Sequence, residues 1–211
     1  MKALPSCVKR CMILGLMLGS MLSAVPPAAL AAGGDGAVDA VAPVELAAPT
    51  IAAPAVGFKS ETIGEVRYLF LDLDPVNGMT LNSLKKCMVY GELEPYPLEL
   101  SIPDNDGSGL IRTGDKLTVS AYGAKGVCVA RVTEVIIVMG DANCNGKVNS
   151  SDAAVLKDMN FGAQYSVEAA LAADVNFSGT LAAPKANSSD AAYIMNKCFA
   201  WSAGKYESNL Q

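Results

Sequence analysis

The stretch Gly140-Asp141-Ala142-Asn143-Cys144-Asn145-Gly146-Lys147-Val148-Asn149-Ser150-Ser151-Asp152 decides how the rest of the chain is read. Counting from Asp141, oxygen-bearing side chains stand at positions one (Asp141), three (Asn143), five (Asn145) and twelve (Asp152), with Gly146 at the sixth, where the chain must turn sharply. That is the ligand spacing of an EF-hand-type calcium loop, in which a hard cation takes six to eight oxygens and a backbone carbonyl, here that of Lys147, supplies the seventh position. The closing residue is the shorter Asp rather than Glu. Ser150 can cap a helix leaving the loop, and residues 153–159 are good helix formers with Val155 and Leu156 as an apolar pair.

A second copy follows. Asp174, Asn176, Ser178 and Gly179 repeat positions one, three, five and six, Thr180 stands at the seventh, and Asn187-Ser188-Ser189-Asp190-Ala191-Ala192 repeats Asn149-Ser150-Ser151-Asp152-Ala153-Ala154 letter for letter. Five extra residues, 182–186, put Asp190 seventeenth in its loop, so the loop is expected to bulge around Pro184 and to hold calcium more weakly than the first. One Asp/Asn/Gly cluster is an ordinary turn. Two copies, each followed by the same helix start, point to a repeated calcium-binding unit.

A loop-helix calcium motif repeated within forty residues, with a hydroxyl pair directly before the last ligand, resembles a type I dockerin, a module that plugs into a cohesin on a scaffold protein of a cellulosome. The resemblance runs from Gly140 to about Trp201; Gly140-Asp141, Asn143, Gly146, Val148 and Asp152 match the family pattern, while Asn145, Asp158 and the insertion depart from it. It implies calcium in two sites, a cohesin partner, and a partner face built on Ser150, Ser151, Lys157, Ser188, Ser189 and Met195. Because the hydroxyl pairs are identical, it also implies binding in two orientations related by a half-turn. The family brings the two ends of the module together, which implies Cys144 with Cys198 and leaves Cys87 with Cys128. Beyond residue 31 the six cysteines reduce to these four, which allow three pairings, and only this one avoids linking the two modules; unpaired thiols are the alternative.

Residues 1–31 read as a signal peptide: Lys2, Lys9 and Arg10 open it, an apolar core spans 12–25, and Ala29-Leu30-Ala31 is a cleavage site. Its removal takes the formal charge from −5 to −8, a poor match for nucleic acid or an anionic membrane. The mature chain is expected to be secreted, with no membrane span. Residues 32–57, rich in Ala, Val, Pro and Gly, read as a semi-extended linker. The chain has no His, which excludes His-based triads and most zinc enzyme sites.

Residues 58–139 read as a small α+β module: strands at 66–73, 98–102, 116–121 and 127–138, and a helix at 80–88 capped by Thr80. It is similar to the small β-rich modules that precede dockerins, with a Thr113-Gly114 turn and a hydrophobic strand running into the loop. Asp104-Asn105-Asp106-Gly107-Ser108-Gly109 lacks a ligand at position twelve and reads as a turn. The expected architecture is therefore a β-rich α+β module followed by an all-α dockerin at 140–203 and a tail at 204–211. The expected function is a non-catalytic component of a cellulosome-like complex. The alternative is a carbohydrate-binding or inhibitor module with a polysaccharide partner, for which Tyr68, Tyr90, Tyr96 and Tyr122 are the stacking candidates. Glu92, Glu94 and Glu99 do not make an enzyme: isolated carboxylates are most often a solvated face.

Overall fold

The segments Val66–Asp72 (VRYLFLD) and Cys128–Val138 (CVARVTEVIIV) carry unbroken apolar runs, Leu69-Phe70-Leu71 and Val135-Ile136-Ile137-Val138, the signature of strands covered on both faces. The computed structural model, which describes residues 50–51, 57–89 and 97–210, places them side by side and parallel, Leu71 opposite Val138. The signal peptide, most of the linker, Tyr90, Glu92, Glu94 and Tyr96 lie outside the described residues.

In chain order the elements are β1 (Thr50–Ile51), β2 (Gly57–Ile63), β3 (Val66–Asp72), α1 (Leu81–Cys87), β4 (Met88–Val89), β5 (Leu98–Ser101), β6 (Lys116–Tyr122), β7 (Cys128–Val138), α2 (Ser150–Asn160), α3 (Val167–Ala173) and α4 (Ser188–Ser202). The main sheet has the order β2-β3-β7-β6-β5 and is antiparallel except for β3 with β7; β1 and β4 form a separate two-stranded ladder. Thr80 caps α1 by accepting from the Ser83 amide. Two elements carry weak sequence signals. The edge strand β2 (GFKSETI) mixes polar and apolar residues without alternation, and α3 (VEAALAA) is one Ser166-capped stretch too short to show a period.

The expected fold class does not hold. The described residues form a five-stranded mixed sheet with four helices, and the helical half is not an all-α unit with a core of its own. Leu156 of α2, Ile194 of α4, Leu171, Ala172 and Ala173 of α3, and Val148 and Val175 of the loops join the same buried cluster as Leu69, Phe70, Ile136 and Ile137 of the sheet. The physical reason lies in α2 and α4. They pack on each other, yet each buries a single large apolar side chain, Leu156 or Ile194, worth about 1.5–3 kcal/mol. Two such helices cannot cover the entropy of ordering sixty residues, so they borrow the sheet.

Polar ties fasten the two halves. The Gly140 amide donates to the Ala172 carbonyl at 2.8 Å and the Val148 amide to the Pro75 carbonyl at 2.9 Å. Phe70 of β3 meets Phe177 edge-on at 6.4 Å between ring centres. Asp72, buried at the end of β3, receives Lys197 Nζ of α4 on Oδ1 at 2.5 Å and the hydroxyls of Tyr206 and Ser208 on Oδ2 at 2.6 Å each. Burial first, then the Asp72 charge, raises the Tyr206 hydroxyl far above its ordinary range, so it remains a donor. Residues 206–210 are thus part of the fold, with Leu210 buried and Asn209 Nδ2 donating to the Val175 carbonyl.

Candidate metal centre

Strand β7 runs directly into the first loop, and Asp141 folds that loop around its own carboxylate. Oδ1 accepts from the Asn145 amide (2.8 Å); Oδ2 accepts from the amides of Gly146 and Thr113 (both 3.0 Å). Gly146 sits at φ +81°, a left-handed position that favours glycine, and its amide reaches Asp141 only from there. Asp152 closes the ring: Oδ1 accepts from the Asn143 amide (3.0 Å), and Oδ2 from the Asn149 amide (2.8 Å). The last bond is half of a capping box. Asn149, not Ser150, is the cap of α2; its Oδ1 accepts from the Ser151 amide, and Ser150 is the first helical residue.

The second loop repeats this wiring. Asp174 is the C-cap of α3; its Oδ1 accepts from the Ser178 amide (2.9 Å), and its Oδ2 from the amides of Gly179 (3.0 Å) and Lys185 (2.9 Å). Asp190 accepts from the amides of Asn176 (3.1 Å) and Asn187 (2.9 Å), and Asn187 caps α4 in the same box. Position four is left-handed in both loops, at Cys144 (φ 58°) and Phe177 (φ 51°).

Asp141, Asp152, Asp174 and Asp190 are all buried, and among the described residues none is paired with a Lys or Arg. Burial pushes the Asp152 carboxyl up to about 7, against two amide hydrogen bonds and with the Asp141 charge adding to the rise. Asp141 and Asp190 move the same way, burial again leading, and Asp174 adds to the shift of Asp190. Burial thus disfavours the ionised form of these carboxylates, and within a loop one Asp raises the other. Asn143 supplies a further sign: Nδ2 donates to Ser151 Oγ at 2.6 Å, leaving Oδ1 buried with no hydrogen-bond partner at position three. The oxygens present fit calcium, which takes carboxylates, amide and backbone carbonyls together. Among the described residues no three His, Cys, Asp or Glu side chains gather at one point; each loop offers two carboxylates and would draw its other oxygens from Asn, Ser and the backbone.

The remaining expected residues are placed as follows. Ser150, Ser151, Lys157, Ser188, Ser189 and Met195 are all exposed. Lys147 is exposed at the loop rim, and its amide donates to Asn145 Oδ1 (2.8 Å). Thr180 lies in a separate turn, where its carbonyl accepts from the Ala183 amide (2.9 Å). The four cysteines among the described residues are thiols: Cys87 donates to the Leu84 carbonyl, Cys128 is on the surface, and Cys198 donates to the Val148 carbonyl at 3.1 Å, so the expected disulfides are not formed in the structure. Tyr68 is buried and Tyr122 half-buried. Asp106 accepts from the amide and hydroxyl of Ser108, as a local turn requires.

Sequence reasoning missed Thr113, whose amide reaches Asp141 while its hydroxyl accepts from the Val138 amide; the Thr113-Gly114 turn was visible, but not its partner. Lys185 was missed as well, although Lys147 and Lys185 both stand five residues before the closing Asp. Comparison of the chain with protein-family models, with curated proteins and with solved structures returned no match. No helix among the described residues is long and apolar enough to cross a membrane.

Proposed function

We propose that the protein is a secreted, non-catalytic docking component: calcium fills the two loops, and the serine-bearing starts of α2 and α4 attach the chain to a cohesin-type module of a scaffold protein. The observation that carries the calcium half is the repeated loop wiring, in which two buried carboxylates per loop are held by amides and lack a cationic side chain. Support for the docking half comes from the matched exposure of the two helices. Aligned on their caps, Ser151 and Ser189, Ala154 and Ala192, Lys157 and Met195, and Phe161 and Phe199 are exposed in both, whereas Leu156 and Ile194 are buried in both. Phe161 and Phe199 are 79% and 77% exposed, too open for a role in the core.

Calorimetric titration of the calcium-stripped protein should show two sites, the second weaker, in the range of extracellular modules, about 10⁻⁴–10⁻³ M. Asp141→Ala should remove the first site and the helix gained on adding calcium. Purified cohesin modules should then bind in calcium and be released by a chelator. Retention on a polysaccharide in place of any cohesin would transfer the function to the sheet module.

A further inference from the structure

The second loop follows a different path from the one its length implies. Thr180 and Ala183 form a small antiparallel bridge, with the Thr180 amide donating to the Ala183 carbonyl (3.1 Å) and the Ala183 amide to the Thr180 carbonyl (2.9 Å). The carbonyl expected at position seven is therefore engaged inside the insertion. The chain on either side of this turn comes back together: the amides of Gly179 and Lys185 both donate to Asp174 Oδ2, and a Cβ on Gly179 would stand 2.6 Å from the Lys185 nitrogen. Glycine is required there by close approach, and the approach brings the two ends of the insertion together. The Lys185 carbonyl accepts from Ser178 Oγ (3.1 Å), the position-five oxygen, and from Asn187 Nδ2 (3.2 Å); an ion would have to displace these bonds, but they hold this carbonyl beside the loop's own oxygens and not in the side turn.

Resting on the calcium reading above, we infer that the second site is a twelve-residue loop in all but chain length: Lys185 supplies its backbone carbonyl ligand, and residues 180–184 are expelled as a side turn. Without those five residues, Asp174, Asn176, Ser178, Gly179, Lys185 and Asp190 fall at positions one, three, five, six, seven and twelve, the spacing of Asp141, Asn143, Asn145, Gly146, Lys147 and Asp152. The insertion thus lies between positions six and seven rather than at 182–186, and leaves the ligand set intact.

Two measurements test this. A calcium-binding carbonyl withdraws electron density from the amide nitrogen bonded to it, so calcium added to ¹⁵N-labelled full chain should shift the amide of Ala186, which follows Lys185, together with that of Val148, which follows Lys147. A shift at Leu181 instead of Ala186 would make Thr180 the ligand and overturn the assignment. A shift at Val148 alone would overturn it while leaving calcium in the first loop; no shift at either would remove the calcium reading itself. The second measurement deletes residues 180–184, joining Gly179 to Lys185. Calorimetry should still count two calcium ions, with second-site affinity within about threefold of the parent or tighter, whereas a loss of about tenfold or more in a folded variant would sink the idea. If the deletion does not fold, the amide shifts of the intact protein decide alone.

Discussion

The two loops use the same carboxylate wiring but are held by different parts of the molecule. In the first, the third amide on the leading carboxylate comes from Thr113, distant in sequence and hydrogen-bonded to β7. In the second it comes from Lys185, inside the loop. The difference extends along the helices. Seven residues after the closing Asp, α2 carries Met159 on the core and α4 carries the buried Lys197 bound to Asp72. The polar tie of the first copy to the sheet runs through its loop, that of the second through its helix and the segment beyond. A repeated sequence can thus be anchored at opposite ends, and the two sites need not respond alike to the same substitution.

The largest effect should come from removing the second copy's anchor. Lys197→Met gives α4 the residue type that α2 has at that place, but it strands Asp72 in the core, at a cost of about 3–5 kcal/mol in chemical denaturation. A loss below about 1 kcal/mol would mean that Tyr206 and Ser208 satisfy Asp72 unaided. Next is pH. The Asp152 carboxyl is raised to about 7, so its protonated form favours the folded state. For the calcium-free protein that stability is fully present below the unfolded value of about 3.9 and is lost as pH rises through about 7, up to about 4 kcal/mol in all. Thermal melts after calcium removal should therefore fall between about pH 4 and 7 and level off above that, and Asp152→Asn should flatten the profile.

A smaller effect separates the loops themselves. Asp141→Ala strands the sheet-bound Thr113 amide, while Asp174→Ala strands only donors within its own loop, which can relax toward water. The first should cost about 1–3 kcal/mol more than the second in calcium-free denaturation, and equal losses would erase the distinction. The smallest effect concerns the partner surface. Replacing Ser150 and Ser151, or Ser188 and Ser189, with bulky charged residues should weaken cohesin binding by only about 0.4 kcal/mol if either copy can dock, because one of two equivalent orientations remains. Changing all four should abolish it. A large loss from one pair would establish a single docking face.

The sequence carried the local features well and the assembly poorly. The helix starts after each loop, the capping of α1 by Thr80 and the spans of β3, β5, β6 and β7 could be read because each rests on neighbouring residues. The cap of α2 was displaced by one residue, since Asn149 and Ser150 are both good caps and only the box with Asp152 chooses between them. The sharing of one core by sheet and helices was not legible. It depends on α2 and α4 having too little apolar surface to stand alone and on Asp72 meeting Lys197, neither of which leaves a local pattern. The path of the second loop was not legible for a related reason: counting forward from Asp174 puts Thr180 at position seven, and the amides of Gly179 and Lys185 that converge on Asp174 Oδ2 leave no local pattern.

The carboxylate of Asp72 finds its partners 125, 134 and 136 residues further along the chain. Such contacts have a high closure entropy and form late. During synthesis from the N-terminus, β3 can be complete while the groups that neutralise its buried charge have not yet been made. Until α4 and the residues just after it have emerged, Asp72 lacks the cation and the hydroxyls that hold it. Residues inserted between α4 and Tyr206 would then burden the step that completes the Asp72 site.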